Sequence, residues 1–239
     1  MARKKAAPLV IPQILQKISI LSKKLDKKQL TLLSKALDDD TKIIFINGPA
    51  GSSKTYMAVY AALRLLQTDE ERDLLYVRTI IESADKGLGA LPGDLKEKFN
   101  PYMAPLNDKS DEMLPANTTL KRDLIDKGRI SAMPINFLRG ANWINKVVVA
   151  DEAQNFTFKE LMTLITRLGE GSRLFICGDT MQSDINGKSG FTDMTRLFKD
   201  DESRKRGIVS FEFDESDIKR SRLLKYIITK LNSYIKSCK

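Results

Sequence analysis

Apolar positions along the chain alternate between two rhythms, one helical and one of short uninterrupted runs. Over residues 8–38, Ile14, Ile18, Leu21 and Leu25 recur at helical spacing with lysines between them, as do Leu30, Leu33 and Leu37, and this spacing predicts helices. The apolar, β-branched run KIIFIN at 42–47 then leads into Gly-Pro-Ala-Gly and reads as a buried parallel strand. A helix follows with Met57, Ala58, Ala61, Ala62, Leu65 and Leu66 on one face. Further strands are expected at 74–78, 129–134, 146–151, 173–177 and 208–213, and helices at 158–168 and 191–198. A basic amphipathic helix is expected over 217–236. Strands alternating with helices predict an α/β fold on a parallel sheet.

The stretch from 79 to 115 breaks the rhythm. Gly87, Gly89, Pro92, Gly93, Pro101 and Pro105 punctuate it, so it is expected to be loop-rich, an inserted lobe at about 85–115. The expected organisation is a helical region over 1–40 leading into one core over 41–239 that carries this insertion and the basic terminal helix.

The loop after the first strand is GPAGSSKT, spanning Gly48, Pro49, Ala50, Gly51, Ser52, Ser53, Lys54 and Thr55. Backbone N–H groups of such a loop cradle phosphates, a helix N-terminus adds partial positive charge, and the lysine reaches the outer phosphates. The hydroxyl of Thr55 is placed to hold Mg²⁺. Ser53 stands where the P-loop pattern has glycine. A second motif, VVVADEAQ, ends an apolar strand in Asp151 and Glu152. Asp151 falls at the sheet edge where ligands of open α/β sheets bind and can hold the magnesium. Glu152 is placed to act as general base on water. A third strand ends in Gly178-Asp179 with Gln182 following, a polar side chain able to sense a γ-phosphate. ATP with Mg²⁺ is the expected ligand pair.

Composition narrows the chemistry. The 239 residues contain no histidine and two cysteines, Cys177 and Cys238, so neither imidazole chemistry nor a zinc or disulfide framework is expected. The formal net charge of +9 suits a polyanionic partner. No segment has the ~18 apolar residues of a membrane span, so no membrane partner is expected. The start, MARKKAAPLVIPQIL, is interrupted by Pro12 and Gln13 and reads as a cytoplasmic leader rather than a signal peptide.

In order along the chain, Gln29, GPAGSSKTYMAV, Arg78 with Glu82, LGALPGDLKEKFNPYMAPL, FLRG, DEAQN, TRLGEGSRLFICGD with Gln182, SGFTDM and FDESDIKRSRLL resemble the PhoH-like family of ATPases, related to the core of superfamily-one helicases. The resemblance implies a three-layer, RecA-like P-loop NTPase core with a mostly parallel sheet. It further implies a cytoplasmic ATPase, a homo-oligomer in the form of a ring or hexamer, and helicase-like action on nucleic acid, single-stranded RNA favoured over DNA. By that match Gln29 recognises the base, Lys54 and Thr55 hold phosphate and magnesium, and Asp151 and Glu152 serve magnesium and water. Gln182 serves the γ-phosphate, and Arg220 acts as an arginine finger toward a bound or neighbouring nucleotide. Arg78, Arg139, Lys219 and Arg222 are the expected nucleic-acid contacts, with Lys225, Lys96 and Lys98 adding positive charge. The departures are Ser53 and GDTMQSD in place of the usual GDPTQ. The size and basicity suit a phage-encoded or stand-alone version without a nuclease domain. Two rival readings remain: a nucleotide-dependent scaffold without efficient turnover, and a nucleoside kinase.

Overall fold

The computed structural model describes residues 18–21, 23–79, 95–116, 118–138, 142–182 and 189–237. Six strands form one sheet: β1 (Ile43–Asn47), β2 (Asp73–Arg78), β3 (Ile130–Pro134), β4 (Lys146–Ala150), β5 (Arg173–Gly178) and β6 (Ile208–Glu212). Their order is β3-β2-β4-β5-β1-β6, and every pairing is parallel. The inner strands β1, β2, β4 and β5 read as nearly unbroken apolar runs because both faces are covered. Ile44, Ile46, Leu74, Tyr76, Val147 and Val149 face one cluster, built with α1 (Lys27–Leu37), α2 (Lys54–Thr68) and α3 (Leu95–Met113). Ile43, Phe45, Leu75, Val77, Val148 and Ala150 face the other, built with α5 (Phe158–Ile165) and α6 (Phe191–Leu197). The fold is therefore a three-layer α/β core.

Two short helices and one longer one complete it: α4 (Leu120–Asp126), α7 (Asp201–Lys205) and α8 (Arg222–Ser237). The first two are too short to leave a periodic signature in the sequence. The expected terminal helix begins at Arg222, after a separate 3-10 turn at Glu215–Asp217 capped by Asp214.

Two expectations are corrected. Residues 18–21 and 23–26 are not helical, although Ile18, Leu21 and Leu25 have helical spacing. Asp26 caps α1 in a reciprocal box with Gln29, which fixes the helix start there. The upstream segment instead lies against the core, with Ile18 buried, its carbonyl accepting from Gln67 Nε2 at 2.6 Å, and Leu21 N–H donating to Met113 O at 2.7 Å. Ile14 lies outside the described residues. The second correction is α3, a 19-residue helix where the sequence predicts loop. Pro101 and Pro105 each remove a backbone donor, which disfavours a helix interior. Full burial of Leu106 and Met113 on the helix's inner face offsets that loss. Tertiary packing here overrides local propensity.

Candidate functional site

The loops after β1, β4 and β5 leave the same edge of the sheet, and β5 lies between the other two strands. They converge with the 23–29 segment, α3 and residues 219–220 on a cleft of about 580 Å³. Residues far apart in the sequence thus line one cavity, at the strand carboxyl ends where α/β sheets bind ligands.

The loop of residues 48–55 wraps the start of α2. Gly48 cannot carry a side chain, because a Cβ would come within 2.7 Å of Phe213 Cβ. Gly51 has φ +79, and a Cβ there would meet the Arg220 side chain at 2.9 Å. Ser53, the N-cap of α2, has φ 68 and ψ 20 in the left-handed region. A side chain in that region costs about 1–2 kcal/mol. The P-loop preference for glycine at this position has its physical reason here, and Ser53 bears the strain.

Lys54 Nζ donates to the carbonyls of Gly48 at 2.6 Å and Pro49 at 2.9 Å. This arrangement holds the ammonium inside the loop. Thr55 Oγ1 donates to Asp151 Oδ1 at 2.6 Å, and the Tyr76 hydroxyl donates to Asp151 Oδ2. Asp151 is 6% exposed, and its own N–H donates to Val77 O at 2.9 Å. Glu152, next along, has φ 55 and starts the 3-10 turn Ala153–Asn155. A non-glycine residue in that conformation stores local strain, a feature common at functional sites. Glu152 Oε2 accepts from Gln154 Nε2 at 2.6 Å, and its Oε1 lies 3.8 Å from the Arg78 guanidinium.

The residues read from sequence as nucleotide or metal contacts thus meet at one place. Ala50, Gly51, Ser53, Lys54, Thr55, Asp151, Glu152, Gln182 and Arg220 all line the cleft, and so does Gln29. Ser52 is buried beneath the loop, its hydroxyl donating to Pro49 O at 2.8 Å. Gln29 Oε1 accepts the Asp26 N–H at 3.0 Å, so the capping box uses the amide oxygen. Arg220 packs over Gly51 of its own chain and makes no ion pair among the described residues. The expected nucleic-acid contacts divide. Arg78 lines the same cleft beside Glu152, and Lys219 is paired with Asp26 at 2.5 Å. Arg222 is exposed at the start of α8. Arg139 and Glu82 lie outside the described residues, as do the side chains of Lys96 and Lys98.

One contributor, Tyr76, escapes sequence reading, as do the contacts that Gln154 and Asp179 make within motifs the sequence does mark. Tyr76 sits within the apolar run of β2, where nothing marks its hydroxyl as polar anchor rather than core. Gln154 bridges the second and third motifs: besides donating to Glu152, its Oε1 accepts the Asp179 N–H at 3.1 Å. Asp179 itself is 4% exposed, Oδ1 accepts from Met181 N–H, and Oδ2 has no hydrogen-bond partner. Burial pushes its carboxyl above the usual carboxylate value, opposed by the Met181 N–H and by the nearby Lys54 charge. Its position after an apolar strand is the available signal. Cys177, on the same strand, is fully buried and its thiol is pushed well up by that burial, which leaves it an inert core residue.

These features fit a triphosphate with magnesium. Glycine at 48 and 51 lets the loop pack closely, the Lys54 ammonium lines the cavity, and the hydroxyl of Thr55 with the carboxylate of Asp151 suits a hard cation. A parallel three-layer core with such a loop after β1 and an acidic pair after β4 defines a P-loop NTPase. The chain belongs to the PhoH-like protein family, whose profile matches residues 22–232. It is 37% identical over 188 residues to the PhoH-like protein of Bacillus subtilis, covering 78% of this chain and 57% of that protein. It is 36% identical over 188 residues to Protein PhoH of Escherichia coli K12, covering 77% of this chain and 51% of that protein. The Mycobacterium tuberculosis PhoH-like protein is 35% identical over 195 residues, with 81% and 53% covered. The chain thus spans little more than half the length of these relatives. Among solved structures, the Pif1 helicase of Candida albicans aligns with a TM-score of 0.39 and 14% identity, covering 81% of this chain and 41% of that one.

Proposed function

We propose that this protein binds ATP with Mg²⁺ and hydrolyses it, and that single-stranded nucleic acid, RNA in preference to DNA, stimulates the hydrolysis. The observation that carries the proposal is the meeting of Lys54, the Thr55–Asp151 pair and Glu152 in one cleft. Thr55 and Asp151 would hold the magnesium ion, which supplies charge neutralisation along the phosphates. Lys54 leaves its two loop carbonyls for the outer phosphates, while the loop N–H groups and the start of α2 hold the inner ones. Glu152 takes the proton of the attacking water, and its strained backbone with the Gln154 bond fixes the carboxylate toward the cleft. Gln182 orients groups at the γ-phosphate end. Arg220, over Gly51, stabilises charge that develops as the terminal phosphate leaves. Because Arg220 reaches the loop of its own chain, it serves this role in cis.

Lys54→Ala removes phosphate contacts and is expected to weaken ATP binding at least tenfold. Glu152→Gln keeps shape and loses the base, so ATP binding persists while turnover falls by about 10²–10⁴-fold. Filter binding and phosphate release on both variants separate the two roles; parental turnover in both sinks the assignment. A second reading, a nucleotide-dependent scaffold, is favoured by the strain at Ser53. It predicts nucleotide affinity without phosphate release.

A further inference from the structure

We propose that Tyr76 is a positioning residue for the nucleotide–magnesium site, holding the Asp151 carboxylate so that Thr55 presents its oxygen to the cleft. The inference rests on the nucleotide-binding reading above. Tyr76 lies mid-strand in β2 with a fully buried side chain, in register with Val149 of the neighbouring β4. A phenylalanine would fill the same apolar space. What tyrosine adds is one hydroxyl, and that hydroxyl donates to Asp151 Oδ2.

The carboxylate is thereby held at both oxygens. Thr55 Oγ1 donates to Oδ1 at 2.6 Å while Tyr76 holds Oδ2, and the backbone is tied by the 2.9 Å bond to Val77 O. A threonine hydroxyl has one hydrogen and two lone pairs. With the hydrogen committed to Asp151, the lone pairs of Thr55 are left for a cation. Loss of the tyrosine hydroxyl deprives Oδ2 of its donor, on a carboxylate that is 6% exposed. The group then turns, and the Thr55 hydrogen is no longer held away from the cleft. The bland alternative is a core tyrosine whose hydroxyl merely found a partner; it predicts a cost in fold stability and none in cation affinity.

Removing an outer partner of a metal ligand typically costs about 10–100-fold in metal affinity. The test is binding of a fluorescent ATP analogue to the full chain, titrated with Mg²⁺ and repeated in chelator, for wild type and Tyr76→Phe. The Mg²⁺ concentration giving half of the magnesium-dependent gain should rise about tenfold in Tyr76→Phe. Affinity in chelator should stay within twofold. Asp151→Asn supplies a second arm, because a carboxamide cannot accept from both hydroxyls: it should raise the requirement at least as far, and adding Tyr76→Phe to it should change nothing more. An unchanged Mg²⁺ requirement in Tyr76→Phe overturns the inference, as does a full additional effect in the Asp151→Asn background. Wild-type protein that binds no nucleotide would overturn the functional reading itself, a separate and recognisable failure.

Discussion

Ser53 holds a backbone conformation that glycine adopts freely, φ 68 at the head of α2. Replacing it with glycine removes about 1–2 kcal/mol of strain and returns about 0.4–1 kcal/mol through the more flexible unfolded chain. Ser53→Gly should therefore stabilise the protein by up to about 1.6 kcal/mol, at about 2–4 °C per kcal/mol in a thermal melt for a chain of this size. A lower melting temperature would show that the hydroxyl or Cβ of Ser53 contributes packing that its surroundings do not reveal. The same variant read by phosphate release tells whether the strain also slows turnover. A rise in rate would favour the scaffold reading of the natural chain. This residue shows what is legible in sequence and what is not: the missing glycine is plain in GPAGSSKT, but only the backbone angle gives it a physical meaning. Tyr76 shows the converse. Its hydroxyl is invisible in the run DLLYVR, since only the register of β2 beside β4 brings it to Asp151.

At the scale of elements, the inner strands are readable because burial on both faces makes them nearly continuous apolar runs. The two segments that depart from expectation do so for identifiable reasons. The 18–26 stretch has helical spacing yet is cut off from α1 by the Asp26 cap, and α3 is held helical through two prolines by its buried face. One consequence is that the start of α1 is tied to the far end of the chain. Lys28 pairs with Asp214 at 2.7 Å and Asp217 at 2.6 Å, and Lys219 pairs with Asp26 at 2.5 Å. The Lys219 hydrogen bond holds the Asp26 carboxyl below the usual range, and that of Lys28 does the same for Asp214. Depressed carboxylates contribute stability that is present above the ordinary carboxylate pKa of about 4 and is lost as pH falls toward their folded values. Wild type should therefore melt above Lys28→Met at pH 6, and the gap should narrow steadily as pH falls below about 4. A gap that persists unchanged at low pH would mean that Lys28 acts outside these ion pairs, for instance through its ammonium over the Phe213 ring.

The terminal helix gives a third expectation. No described residue from 222 to 234 of α8 is buried, and Leu223, Tyr226 and Tyr234 are more than half exposed. Ending the chain after Ser221 should accordingly leave the melting temperature of the core within a few degrees. On the proposed reading its cations serve nucleic acid instead. For every phosphate that a variant no longer neutralises, the salt slope of single-strand binding should fall by about 0.7. Arg222→Gln with Lys225→Gln should show such a fall. Lys219→Gln should show less, because its ammonium is committed to Asp26. Equal slopes in all three would remove α8 from the nucleic-acid surface.

At the scale of the whole molecule, the chain carries a net charge of +9, and its described residues form one core with a P-loop cleft. On the proposed reading, one such core gives one grip on a strand, so directional movement along nucleic acid is expected to need a second copy. Unwinding by a species that sediments as a monomer with ATP present would contradict this. Positive charge and cleft together lead to the central claim, that nucleotide turnover is coupled to a polyanion. The direct test is steady-state phosphate release from ATP and Mg²⁺, with and without single-stranded RNA or DNA, using Glu152→Gln as blank. The account predicts release that rises several-fold with the strand, more with RNA than DNA, and disappears in the variant. Release no greater than the Glu152→Gln blank under every condition, from protein that still binds ATP, would contradict it.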